Sequence, residues 1–180
     1  MTIPELYEQR YTDASDINEH LPIFVGMCEQ LDAKKVIELG VRHGVSTVGW
    51  LYGLERSDGH LWSVDQTAGP GLQGPRWTFI QGDDCSPEVL AQLPELVDVV
   101  FIDTSHRYTH TMQELALYAP RVRSGGRIVL HDTEVEHPDE APDGECPFPV
   151  KRAVELFCVA NGFQWSNREN NNGLATIEVP

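Results

Sequence analysis

The sequence predicts an α/β protein built on a mostly parallel sheet, and three observations predict it. Short apolar runs alternate with helix-like stretches from residue 36 to residue 132. The first run, Val36–Leu39, passes through Gly40 and Gly44 into a helical pattern at Val45–Leu54, the strand, glycine turn and helix of a nucleotide site. Five successive strands then end in polar signals, as the ligand-facing edge of an open parallel sheet does.

A chain of 180 residues reads as one domain spanning 1–180, large enough for a full core. A net charge of −15 with no basic cluster excludes a nucleic-acid substrate, because binding to phosphates needs cations to exchange for counterions. Cysteines stand at 28, 85, 146 and 158 with no C-x-x-C pair, so a reduced, cytoplasmic protein without structural zinc is expected. Cys28 and Cys158 fall in apolar helical patterns and are expected to be buried. No signal segment is visible, and no apolar run approaches the ~20 residues that a membrane span needs. A homo-oligomer stays open.

In chain order, residues 1–14 are polar with scattered tyrosines and read as a surface arm. Asp16 and Glu19 form a D-x-x-E helix start, and Pro22 leaves a short turn before a helix to Leu31. The first strand is Val36–Gly40, followed by the helix Val45–Leu54. Residues 57–60 turn into the second strand, Leu61–Asp65. Glycines and prolines make 66–76 a loop before the third strand, Trp77–Gln81. Ser86 and Pro87 are a cap and first-turn proline for a helix to Leu93. Val97–Asp103 is a continuous apolar run ended by an aspartate, as a central parallel strand reads. A helix over His106–Val122, a turn at Ser124-Gly125-Gly126 and a fifth strand at Arg127–His131 follow. Residues 133–148 are acidic and proline-rich, a loop or lid. A helix at Val150–Asn161 ends on Gly162. Strands at Phe163–Ser166 and Leu174–Val179 form a hairpin whose last strand inserts antiparallel.

The glycine loop reads Glu-x-Gly-x-x-x-Gly-x-Ser, not the Gly-x-Gly-x-x-Gly of dinucleotide enzymes. Arg42 and His43 stand where a pyrophosphate cradle wants small residues, so the loop suits a ligand without phosphates and with polar ends. Asp65 follows Gly40 by 25 residues, near the interval at which a carboxylate meets ribose hydroxyls; a turn aspartate is the alternative. Asp83 or Asp84 suits an adenine amino group, or else caps the turn at Ser86. Asp103, His131 and Asp132 collect at the ends of the fourth and fifth strands. His20 and His43 are further histidines for the pocket.

Three stretches carry a family resemblance: the glycine loop, Phe-Ile-Asp-Thr-Ser-His-Arg-Tyr at 101–108, and Ser-Gly-Gly-Arg-Ile-Val-Leu-His-Asp at 124–132. Together they resemble the class I S-adenosylmethionine-dependent methyltransferases, in the small O-methyltransferase branch of catechol-type and antibiotic-tailoring enzymes. The resemblance implies a three-layer Rossmann-like sandwich with a seven-stranded sheet of order 3-2-1-4-5-7-6, strand 7 antiparallel. It implies that Glu38, Gly40, Gly44 and Ser46 hold the methionine part of the cofactor, Asp65 the ribose, and Asp83 or Asp84 the adenine. Arg42 would pair with the cofactor carboxylate or stay an exposed loop arginine. Asp103 would face the transferred methyl. Asp103 and Asp132 would hold Mg²⁺, with Thr133 standing where the branch has asparagine. His106 would be the base, and His131 a second base, a ligand or an orienting partner. The acceptor would be the hydroxyl of a small molecule. A nicotinamide (NAD(P)) oxidoreductase and a non-catalytic binding protein of the same fold are the alternatives.

Overall fold

The computed structural model describes residues 1–137 and 147–180. Its sheet has seven strands: β1 (Lys35–Leu39), β2 (His60–Asp65), β3 (Trp77–Gln81), β4 (Val97–Ile102), β5 (Val122–His131), β6 (Gln164–Arg168) and β7 (Leu174–Glu178). Their order is β3-β2-β1-β4-β5-β7-β6. The first five are parallel, and β7 enters antiparallel to both β5 and β6. Residues on β1 and β4 are buried on both faces, which is why they read as unbroken apolar runs.

Helices cover both faces. On one lie α1 (Ile3–Thr12), α2 (Leu21–Leu31) and α3 (Val45–Leu54), where Phe24, Trp50 and Phe101 pack ring against ring. On the other lie the single turn α4 (Pro87–Leu90), α5 (Tyr108–Tyr118) and α6 (Pro149–Asn161), burying Leu115, Tyr118, Val154 and Phe157. Cys28 and Cys158 are buried as expected. No helix among the described residues is long and apolar enough to cross a membrane.

Five expectations are corrected. Residues 1–14 form a helix on the surface rather than an irregular arm: Thr2 and Glu5 form a reciprocal capping box, and the buried Tyr7 of α1 stacks on Tyr52 of α3 at 4.3 Å. The turn before α2 is capped by Ser15 rather than Asp16, with Ser15 Oγ accepting from Asn18 N–H at 3.0 Å. α4 stops at Leu90 and the chain continues as turns, with Gln92 N–H donating to Val89 O at 2.9 Å and Leu93 N–H to Leu90 O at 3.4 Å. α5 runs only from Tyr108 to Tyr118. Val122 already pairs with Val97, and Ser124-Gly125-Gly126 is a bulge within β5 rather than a turn before it.

The register brings the strand tips level. Leu39 pairs with Val64 on one side and Ile102 on the other, so Gly40, Asp65 and Asp103 leave the sheet side by side. Chain order reverses between β1 and β4, and that crevice is where such sheets hold ligands.

Candidate active site

A cavity of about 880 Å³ opens over these strand tips, with Gly40, Asp65, Asp84, Asp103, His106 and Asp132 on its walls. Ser15, Asp16 and Ile17 also line it, and nothing in the local sequence marks them as site residues.

Gly40 sits at φ +86°, and a Cβ there would stand 1.8 Å from the Asp103 carbonyl oxygen. Only glycine lets β1 and β4 approach so closely. The crossing is tied on both sides: Gly40 N–H donates to Val64 O at 2.9 Å, and Asp103 N–H to Leu39 O at 2.8 Å.

Asp65 organises the loop that follows. Its Oδ2 accepts from Val41 and Arg42 N–H at 2.8 and 3.0 Å, and its Oδ1 from Thr67 N–H and Oγ1, both at 2.8 Å. Burial favours the neutral acid, but these four bonds hold the carboxyl below its usual range. They fill a carboxylate's four acceptor positions, so a ribose hydroxyl reaching Asp65 has to displace Thr67.

Glu38 is placed differently from the expectation. Its carboxylate does not line the cavity but is fully buried beneath it, accepting from Ser46 Oγ at 2.6 Å, Thr47 Oγ1 at 2.8 Å and Ser63 Oγ at 2.5 Å. Burial pushes its pKa up to about 7 despite those donors. It therefore clamps the start of α3 to β1 and β2. Gly44, at φ +73°, begins α3 without a side-chain cap, leaving N–H groups at a helix end beside Val45 and Ser46 on the cavity wall. Arg42 and His43 also line the cavity; the exposed Arg42 side chain pairs with Asp16 at 3.3 Å.

At the β3 end the two aspartates separate. Asp83 is exposed, off the cavity wall, and accepts from Cys85 N–H at 2.9 Å. Asp84 is buried on the wall, 3.0 Å from His110 Nε2, whose Nδ1 lies 2.7 Å from Ser105 Oγ. Glu114 lies buried beside them, its Oε1 accepting from Thr104 Oγ1 at 2.7 Å, and burial pushes its carboxyl up to about 8. None of His110, Ser105 or Glu114 carries a local sequence signal for the site.

The β4 and β5 tips carry a cluster of acids and histidines. His106 and Asp132 adopt left-handed backbone at φ +55° and +59°, a conformation side chains keep only when the surroundings impose it. His106 Nε2 lies 2.7 Å from Asp132 Oδ2 and 3.4 Å from Asp103 Oδ1. Burial pulls the His106 pKa down, but its bonds to Asp103 and Asp132 and their charges push it up to about 9. His131, only 1% exposed, sits behind them and off the cavity wall. Its Nε2 meets the carbonyl oxygens of Asn171 at 2.9 Å and Asp16 at 3.1 Å. Asn171, Asn172 and Gly173 are all left-handed, which shapes the β6–β7 turn that aims the Asn171 carbonyl inward. That carbonyl also meets His20 Nε2 at 3.2 Å. His20 is fully buried and off the cavity wall, and burial followed by the His131 charge lowers it to about 4.

Two polar atoms here are orphaned. His131 Nδ1 and Asp132 Oδ1 are buried without a hydrogen-bond partner, and together with Asp103 they form a set able to hold a metal ion. Two carboxylates and an imidazole nitrogen that faces them at 3.3 and 3.6 Å, an ion pair when the ring is protonated, suit a divalent cation once that proton is lost. Thr133 does not contribute: its hydroxyl donates to Asn167 Oδ1 at 2.7 Å. Glu134 is likewise turned away, accepting from Lys151 Nζ at 2.6 Å and Asn167 Nδ2 at 2.7 Å. The expected lid over 133–148 falls largely on residues 138–146, outside the described residues.

Comparison with known proteins agrees with this geometry. A family model described as a methyltransferase domain matches residues 37–133, from β1 to the residue after Asp132. No curated protein matches the chain. Among solved structures, the SAH-bound methyltransferase PaMTH1 of Podospora anserina is similar over 99% of this chain and 87% of its own, with a TM-score of 0.68 and 16% identity. An O-methyltransferase from Bacillus cereus in complex with SAH is similar over 99% and 90%, with a TM-score of 0.69 and 14% identity. MycE of the mycinamycin biosynthetic pathway, in complex with Mg, SAH and mycinamycin VI, is similar over 98% of this chain but 54% of its own, with a TM-score of 0.74 and 20% identity. At these identities the likeness is one of fold. The matched family segment covers more than half of the chain and carries both the glycine loop and the Asp103–Asp132 cluster, so the chain belongs to the methyltransferase-domain family.

Proposed function

We propose that this chain, acting as one domain, transfers a methyl group from S-adenosylmethionine to a hydroxyl of a small molecule, with a divalent cation at Asp103 and Asp132. The observation that carries the reading is that the glycine loop and the acid–imidazole cluster open onto one cavity, in contact through Gly40 and Asp103. The N-terminus of α3 suits the carboxylate of the cofactor's methionine, Asp65 its ribose and Asp84 its adenine. When bound, S-adenosylmethionine supplies the methyl as a sulfonium electrophile, and a divalent cation supplies Lewis acidity at the acceptor oxygen.

The residues of the chain position and move a proton. His106 Nε2 faces Asp132 and Asp103, which leaves Nδ1 to take the acceptor's hydroxyl proton, and the two carboxylates stabilise the imidazolium that forms. With both carboxylates uncompensated the ring is already charged at neutral pH. Proton acceptance therefore goes together with a compensating cation. MycE is crystallised with mycinamycin VI, which supports a small molecule as acceptor class. Free thiols at Cys28, Cys85 and Cys158 support a reducing, cytoplasmic setting.

Calorimetric titration with S-adenosylhomocysteine tests the cofactor directly, and no heat at millimolar ligand sinks the proposal. His106→Ala is expected to lower turnover by about a hundredfold or more while S-adenosylhomocysteine affinity holds. Equal loss of both would take the base role from His106, and an unaltered chain that binds without turning over any hydroxyl acceptor would favour the non-catalytic alternative.

A further inference from the structure

We infer that the cation held by Asp103 and Asp132 takes His131 Nδ1 as its third protein ligand, so that the site prefers a first-row transition ion to Mg²⁺. The inference deepens the proposed function and rests on its cation, not on its methyl donor.

His131 is fixed as a ligand by its other nitrogen. Nε2 meets two carbonyl oxygens, Asn171 at 2.9 Å and Asp16 at 3.1 Å, and a carbonyl can only accept. Nε2 therefore carries the hydrogen, and in the neutral ring the lone pair is on Nδ1. That atom is buried, makes no hydrogen bond, and lies 3.3 Å from Asp132 Oδ1 and 3.6 Å from Asp103 Oδ1. Asp132 Oδ1 is buried without a hydrogen-bond partner as well. The two carboxylate oxygens call for positive charge at Nδ1, carried by a ring proton when the site is empty and by the cation, which takes that proton's place, when it is filled.

The spacing suits a metal. Two donors about 2.1 Å from one ion stand roughly 3.0 Å apart at right angles and roughly 3.4 Å apart at the tetrahedral angle. The ligand atoms of Asp103, His131 and Asp132 all lie within 4.8 Å of one another. His106 does not compete for this position, because its short contact is to the other Asp132 oxygen, Oδ2. Asp103 and Asp132 line the cavity, so further positions on the ion face the acceptor.

Ligand chemistry then sets the preference. Mg²⁺ favours oxygen donors and sheds water reluctantly, whereas imidazole suits Fe²⁺, Co²⁺, Ni²⁺ and Zn²⁺. A ligating histidine whose second nitrogen donates to backbone carbonyls is oriented in advance, as the Asn171 and Asp16 carbonyls orient this one.

The test uses the full chain stripped of metal and needs no turnover. Calorimetry is expected to find Co²⁺ bound about tenfold or more tightly than Mg²⁺. The spin-echo spectrum of the Mn²⁺ complex is expected to show 14N coupling that changes to a 15N pattern when only the histidines are labelled. His131→Gln is expected to remove that coupling and weaken Co²⁺ by about tenfold to a hundredfold, with Mg²⁺ altered less than about threefold. His106→Gln is expected to leave the coupling in place. No cation binding at millimolar concentration, binding without nitrogen coupling, coupling that survives His131→Gln, or coupling lost in His106→Gln would each overturn the inference. Because His131 is buried, the labelling experiment on the unaltered protein decides the matter even where His131→Gln fails to fold. S-adenosylhomocysteine binding, measured on the same sample, keeps failure of the cation assignment apart from failure of the methyl-donor reading.

Discussion

Beside the glycine loop, Glu38 and Asp65 have a donor on every carboxylate oxygen; across the cavity, Asp132 and His131 each leave a buried polar atom with no hydrogen bond. The two ends of one cavity are thus built in different ways. At the β1–β2 end the acids belong to the frame: they orient the loop and the start of α3, and ligand groups come second. At the β4–β5 end the frame stops short, and strained backbone at His106 and Asp132 holds charges together without completing their bonding. Buried polar atoms in native proteins are nearly always hydrogen-bonded, so a set beside a cavity that is held by charge alone leaves room for a ligand, while a fully hydrogen-bonded set points to architecture.

The contact that joins the two ends gives the largest expected effect. Gly40→Ala would force a methyl group to 1.8 Å from the Asp103 carbonyl at a left-handed φ. Loss of folding, or of about 4 kcal/mol or more by urea denaturation, is expected. A near-native midpoint would show that the ends are joined less tightly than described. Next comes Glu38→Ala, which leaves the hydroxyls of Ser46, Thr47 and Ser63 without their acceptor. A cost of about 3 kcal/mol is expected, and a cost near zero would strip Glu38 of its framing role.

Glu38 also predicts a pH dependence of similar size. Its folded pKa, about 7, lies above the value of 4.5 in the unfolded chain. The folded state therefore holds the extra proton, and the associated stability is fully present below pH 4.5 and lost as the pH rises through about 7. The contribution is about 3 kcal/mol across that window. It is read as the difference between the unaltered protein and Glu38→Gln; a difference that stays flat with pH would refute it. Asp132→Asn is expected to weaken Mn²⁺ binding by about tenfold or more, about 1.4 kcal/mol, and to leave S-adenosylhomocysteine affinity little changed. Parallel loss of both would erase the distinction between the ends. The smallest effect is at the surface: Arg42→Ala breaks an exposed pair with Asp16 and should shift stability by less than about 0.5 kcal/mol.

Much of the fold was legible because buried parallel strands have few ways to be written. β1 through β4 lie within a residue of where apolar runs ended by polar residues put them. α1 was hidden by its polar surface, although Thr2, Pro4 and Glu5 carry a readable start signal. The early part of β5 was hidden because a glycine pair in a bulge looks like a glycine pair in a turn. In the site, Gly40, Asp65, Asp103, His106 and Asp132 follow from their places at strand ends, since sheet topology alone brings those ends together. Glu38 was misplaced because its three hydroxyl donors come from α3 and β2 and are invisible from β1. Ser15–Ile17 and Asn171 could not be read locally: they reach the cluster across most of the chain, as the bond from Glu19 N–H to Asn171 Oδ1 at 2.7 Å shows.

The Asn171 carbonyl, shared by His20 and His131, has a consequence for biosynthesis. Ribosomes deliver the loop residues long before the final hairpin emerges. A nascent chain can therefore shape its glycine loop early, but His131 gains its fixed orientation only after the hairpin of β6 and β7 has emerged.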